Sequence, residues 1–206
     1  MTAMIDALIQ FLELRPWLAY ATVFVAALLE AVPVLGSFVP GSSVIIGLSA
    51  FVAAGELKLA GVLTAAIAGA VIGDGAAFLL GHHYQRQILH MWPLKSYPNI
   101  IAHSEAFFVT RGPAAVLFAR FVPPVRAFVP VTAGALGMRP ARFYPINIVA
   151  IALWACAHVL PGALAGTLWR QYGREIEHIV LPIVAVAVVI AVGAWYMRWR
   201  RAVATG

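Results

Sequence analysis

Four ionisable residues interrupt otherwise apolar stretches of this chain: Glu30, Asp74, Arg120 and Arg126. At depth in a bilayer such a residue costs at least about 2.5–3.5 kcal/mol on insertion scales, and it marks a functional position by default. The other readings are snorkelling at a block edge or one structural ion pair. Two arginines close together among prolines can grip an anion bidentately, because the guanidinium fork matches a phosphate. A carboxylate in the same seam can serve as their counter-charge or carry a proton. Ser42 and Ser43 follow Pro40-Gly41, and Thr132 follows Pro130. Amides and hydroxyls at half-helix ends can receive an anion. The expected substrate-binding set is therefore Glu30, Ser42, Ser43, Arg120, Arg126 and Thr132. Asp74 and Asn147 are expected on a proton path or in a structural role.

The elements that must position these residues are greasy. Of 206 residues, 63% are apolar and 11% charged, against roughly 45–50% and 25% in soluble domains. So few charges cannot cover a small globule in water, and lipid is the expected surroundings. The net charge of +6 is scattered between apolar blocks, so a nucleic-acid partner is not expected. The start, MTAMIDALIQFLELRPW, carries Asp6 and Glu13 and no basic n-region; it is expected to be retained, with a signal-anchor role open for the first block. Apolar blocks cover 17–29, 32–54, 57–81, 112–138, 143–169 and 179–197. About 20 apolar residues cross a bilayer as a helix. The third, fifth and sixth blocks meet that length, and the first recruits residues on either side. The second and fourth are broken by prolines, which remove donors and clash with the preceding turn. Freed carbonyls in lipid need protein or water partners. This predicts re-entrant hairpins, with proline-kinked full spans as the alternative.

The broken blocks resemble each other. Residues 30–40 read EAVPVLGSFVP and residues 120–130 read RFVPPVRAFVP. At an offset of 90, Pro33 matches Pro123, Pro40 matches Pro130, Phe38-Val39 matches Phe128-Val129, and Gly47 matches Gly137. Each copy precedes a long apolar span. Inverted repeats of broken elements place transporter sites near the midplane. In this register Glu30 occupies the place of Arg120, and Arg126 that of Gly36, so Glu30 is expected near Arg120 or Arg126. The predicted fold is an all-α polytopic membrane protein, an inverted repeat of re-entrant helical hairpin plus transmembrane helix. It forms a single membrane domain over 1–206. Within it lie a first repeat at 30–81, a cytoplasmic amphipathic linker at 82–111, a second repeat at 112–169, and a C-terminal span with basic tail at 176–201.

Placing 82–111 inside puts Arg15, Arg86, Lys95, Arg111, Arg139, Arg142, Arg198, Arg200 and Arg201 on the cytoplasmic face, with Lys58, Arg170 and Arg174 outside. Both termini are then cytoplasmic. Ile88, Leu89, Met91 and Trp92, near Arg86 and Lys95, suggest a helix on the inner membrane surface. Trp154, Trp169, Trp195 and Trp199 fit interfacial belts in part. His82, His83 and His90 lack partners at metal-binding spacing. There is no GxSxG, HExxH or GxxxxGK[ST] motif, and Cys156 is single. No metal, cofactor or enzymatic activity is expected.

The run FARFVPPVRAFVPVTAG at 118–134 resembles the signature of the DedA family, also called the SNARE-associated Golgi or VTT-domain family: an aromatic residue, then Arg, Pro, Arg and Pro at fixed spacing, closed by Ala-Gly. Glu30, Pro40-Gly41, Gly73-Asp74 with the aromatic and Gly positions through Tyr84, and Phe143 with Asn147 and Trp154 support it. The likeness covers roughly residues 15–170. It implies a polytopic membrane protein with two oppositely oriented re-entrant elements, in the bacterial inner membrane. It also implies a role in flipping undecaprenyl phosphate, or in lipid scrambling as in eukaryotic relatives. The family's membrane acid and signature arginines fall on Glu30, Arg120 and Arg126. Many bacterial members carry a second acid directly after Pro-Gly, where this chain has Ser42; that weighs against a two-carboxylate proton scheme and leaves phosphate binding intact.

The expected function is a lipid-phosphate flippase or scramblase whose partners are membrane lipids, with an anionic lipid phosphate as substrate. A polyprenyl phosphate is favoured over a glycerophospholipid. A proton-coupled small-solute transporter and a phospholipid scramblase are the alternatives. Coupling to a proton or sodium gradient and self-association as a homo-oligomer remain open. A lipid phosphatase would need a nucleophile or metal beside the arginines, and a scaffold would tolerate Arg126→Lys.

Overall fold

The computed structural model describes residues 15–33, 35–38, 40–91, 94–122 and 125–204; residues 37, 38, 90 and those from 174 on are described by backbone alone. Among the described residues the chain is helical without strands. Helix α1 spans Pro16–Ala31, with Pro at its first position, where the missing amide costs nothing. It stops before Pro33, which biases the preceding residue away from the helical region; Val32 is extended at φ −78° and ψ 128°. A single turn, α2 (Leu35–Phe38), leads to α3 (Gly41–Ser49) and a 3-10 turn at Ala50–Val52. Helix α4 spans Leu59–Tyr84 and is followed by 3-10 turns at Gln85–His90 and Leu94–Ser96. Helices α5 (Pro98–Arg111) and α6 (Ala114–Ala119) precede a 3-10 turn at Val125–Ala127. Then come α7 (Val129–Ala135) and the helix α8, Pro140–Ala204.

The second block holds α2 and α3, with α1 of the first block ending just before its prolines, and the fourth block holds α6, the Val125–Ala127 turn and α7. In each copy the flanking helices pack on one another. The third and fifth apolar blocks supply the two stretches that are long and apolar enough to cross a membrane among the described residues, Leu59–Leu89 and Pro140–Gly173. The sixth block, 179–197, is helical in its backbone, and its side chains lie outside the described residues.

The chain divides into two compact units, Met1–Gly166 and Thr167–Gly206. The first has three packed clusters. One joins Ala19, Val23 and Ala27 of α1, Ile45 of α3, Val62, Ala66 and Ala70 of α4, and Ile151, Ala155 and Val159 of α8. A second gathers Ala77, Ile88, Leu89, Leu94, Phe128 and Val131. A third gathers Phe78, Val116, Val129 and Phe143, with the Phe78 and Phe143 rings stacked at 4.0 Å. Helix α4 crosses α1 at Gly69 and Gly73 and crosses α7 at Gly81; a side chain at these positions would run into the backbone of Phe24, Leu28 and Val131. Small residues let helices approach closely where lipid offers no hydrophobic drive to associate.

The outer faces stay apolar, with Ile72, Leu79, Leu153 and Leu164 each more than half exposed. The 85–96 segment differs from the expected surface helix. It is built of 3-10 turns, and Ile88 and Leu89 point inward into the second cluster while Met91 is exposed. Trp92 lies outside the described residues.

Candidate functional site

The polar residues stand at the seams between the clusters. Along α4, Ala70 belongs to the first cluster and Ala77 to the second, with Asp74 between them. Along α8, Phe143 belongs to the third cluster and Ile151 to the first, with Asn147 between. Spacings of three or four residues keep each set on one helix face.

Glu30 lies in the last turn of α1 and is 3% exposed. Its carboxylate rests against the start of α3. A Cβ on Gly41 would come to 2.5 Å from Glu30 Oε2 and 2.7 Å from the Ala26 carbonyl oxygen, so only glycine allows this approach. Ser42 Oγ donates to Glu30 Oε1 at 2.5 Å. Arg126, in the Val125–Ala127 turn, forms an ion pair from Nη2 to the same Oε1, and its Nη1 donates to Ser42 Oγ at 3.4 Å. Carboxylate, hydroxyl and guanidinium close a triangle that ties the first broken segment to the second.

Arg120, at the end of α6, pairs through Nη1 with Asp74 Oδ2. Both are buried, and the Arg120 Cζ sits 4.8 Å from the centre of the Trp154 ring. Trp154 is itself buried, one face of its ring covered by a cation–π contact. The Asn147 side-chain amide lies beside Asp74. Asn147 Nδ2, Asp74 Oδ1, Arg120 Nε and Glu30 Oε2 all lack a geometrically complete hydrogen bond.

One small cavity of about 10 Å³ is lined by Glu30, Ala31, Asp74, Arg120, Arg126, Ala127 and Trp154. Both acids and both arginines therefore meet in one place. The set is neutral overall, which suits a low-dielectric interior. Its space is on the order of one water, too small for a phosphate while both pairs are closed.

Sequence reasoning brings Glu30 towards Arg120 or Arg126, and the structure selects Arg126. The Asp74–Arg120 pair was not anticipated from the sequence. Its signal was available: a lone acid between two glycines, Gly73 and Gly75, on a small-residue face needs a cation once buried. Ser42 joins the triangle, whereas Ser43, next in sequence, is exposed. Thr132 is buried within α7, its Oγ1 has no hydrogen-bond partner, and it does not line the cavity. Among the described residues no three His, Cys, Asp or Glu gather as metal ligands.

The model of the VTT domain matches residues 39–164. The inner membrane protein YabI of Escherichia coli is 33% identical over 187 residues, covering 89% of this chain and 73% of that protein. An uncharacterized membrane protein of Mycobacterium bovis, Mb2670, is 28% identical over 206 residues, 97% of this chain and 92% of its own length. A protein of Lactococcus lactis named alkaline phosphatase-like is 27% identical over 142 residues, 66% of each chain. No solved structure matches.

Proposed function

The chain belongs to the VTT-domain, or DedA, family of membrane proteins, and from its paired charges we propose that it translocates an anionic lipid phosphate. The favoured cargo is undecaprenyl phosphate or a related polyprenyl phosphate, moved across the bacterial cytoplasmic membrane. The observation that carries this reading is the single cavity in which two arginines are each neutralised by a carboxylate from a different element. An arginine that is already paired can accept a phosphate by exchange, so no unpaired charge is left in the membrane at either end of the step.

The exchange falls on Arg126. Its side chain is 19% exposed against 8% for Arg120, so the Glu30–Arg126 pair is the one a headgroup reaches first. The phosphate takes both guanidinium arms. Glu30 keeps Ser42 as a neighbour and takes up a proton as its cation leaves. Arg120, held by Asp74 and covered by Trp154, stays in place and adds a fixed positive field. The broken segments act as re-entrant hairpins of opposite orientation that form a thinned polar seam; 82–111 and both termini lie on the cytoplasmic side. The hydrocarbon tail remains apolar-solvated while the head crosses.

The test is a flip assay in liposomes comparing undecaprenyl phosphate with a glycerophospholipid, with and without a pH gradient. Transport of the prenyl phosphate, lost in Arg120→Ala and Arg126→Ala, is expected. Equal transport of both lipids would indicate a scramblase. Normal transport by both arginine variants would remove the mechanism.

A further inference from the structure

A second concavity adjoins the charged cavity. It is a half-open groove of about 310 Å³ lined by Val32, Pro33, Ala77, Leu80, Tyr84, Ile88, Met91, Leu94 and Val131. Its inner wall, Ala77, Ile88, Leu94 and Val131, is buried, and its rim, Leu80, Tyr84 and Met91, is exposed. No residue lines both concavities, but at three places the same stretch of chain passes from one lining to the other. Ala31 lines the charged cavity, and Val32 and Pro33, next along the chain, line the groove. Asp74 faces the first, and Ala77, one turn further along α4, faces the second. Ala127 lines the first, and Val131, four residues on, lines the second.

We propose that this groove seats the single hydrocarbon chain of a lipid phosphomonoester whose headgroup is held at Arg126. The inference rests on the translocation reading and adds a tail site to it. Apolar walls running up to one buried and one half-buried arginine complement an amphiphile with a charged end and one greasy chain. The volume decides between one chain and two. It sits at the lower end of the roughly 300–1,000 Å³ of whole ligand pockets, which suits a segment of one chain and not a pair of acyl chains. The break at Pro33 makes the wall. Because α1 stops at Ala31, Val32 and Pro33 leave the helix and line the groove together with Ala77, Leu80 and Tyr84 of α4 and Ile88, Met91 and Leu94 of the following turns.

The test uses the full chain in liposomes with a polyprenyl monophosphate that carries a photoreactive diazirine in its chain. Labelling is expected at Leu80, Ile88 and Met91. Excess unlabelled polyprenyl phosphate should reduce it about tenfold, and the matching polyprenyl alcohol or a two-chain phosphatidic acid should not. Leu80→Trp, at an exposed rim position, should lower both the labelling and the transport of the long-chain phosphate while sparing a short-chain prenyl phosphate. Label spread equally over lipid-facing Leu153 and Leu164, or label that the alcohol displaces as well, would overturn the tail site. Transport with dispersed label sinks the groove and keeps the translocase. Competed groove label without any transport keeps the groove and sinks the translocase.

Discussion

The Glu30–Arg126 and Asp74–Arg120 pairs face one cavity, yet they are held in different ways. Asp74 sits in the middle of the long helix α4 between glycines, and its partner is sealed beneath Trp154 with Asn147 alongside. Glu30 sits at the broken end of α1, and its partner sits in a single 3-10 turn. The first pair joins regular, packed elements; the second joins two breaks. Three residues share the second pair, since Ser42 Oγ touches both Glu30 and Arg126. A hydroxyl that donates to the acid and accepts from the base can keep either one company when the other departs. Under the proposed translocation this difference divides the labour, with one pair fixing the field and the other opening to the headgroup.

The largest expected effect breaks the fixed pair. Removing one partner of a buried ion pair leaves an uncompensated charge and costs about 3–5 kcal/mol. Asp74→Leu or Arg120→Met should each lower the melting temperature of the purified protein strongly. The double variant should regain most of that stability and still fail to transport. A smaller loss is expected at the other pair. Glu30→Gln keeps an acceptor for Ser42 and removes a charged hydrogen bond to Arg126, about 1.5–3 kcal/mol. Its sharper signature is transport that no longer responds to pH, read with a pH-stepped flip assay. Gly41→Ala should cost about 1–3 kcal/mol by overpacking, because the new Cβ meets Glu30 Oε2 and the Ala26 carbonyl. The smallest change is Trp154→Phe, which keeps an aromatic face over Arg120 and should cost about 0.5–1 kcal/mol in a melting experiment. If Glu30→Gln proved as destabilising as Asp74→Leu, the two pairs would be equivalent and the division would be lost.

Much of this was legible in residue types. The apolar blocks at 57–81 and 143–169 carried the two long helices, because uninterrupted greasy sequence of that length has few other solutions. The prolines marked both breaks, and Glu30, expected near Arg120 or Arg126, pairs with Arg126. Helical phase was harder to read. Ser42 and Ser43 are neighbours in sequence, but about 100° separates successive side chains around a helix of 3.6 residues per turn, so one meets Glu30 and the other points away. The partner of Asp74 lies 46 residues further along the chain, and no local pattern specifies a pairing across that distance. Trp154 reads as a belt residue by type; its burial comes from sharing an α8 face with Asn147 and Ile151, which only the packed structure reveals. Ile88 and Leu89 likewise read as surface anchors until the 3-10 turns direct them into the core.

In the proposed mechanism the Glu30–Arg126 pair opens to receive a lipid phosphate. Its most direct test is the rate of polyprenyl phosphate translocation by Arg126→Lys in proteoliposomes, normalised to folded protein. Lysine keeps the charge and gives up the bidentate fork. The variant is expected to melt close to wild type and to translocate about tenfold more slowly or worse, a barrier change of about 1.4 kcal/mol. Translocation at the wild-type rate would contradict that mechanism.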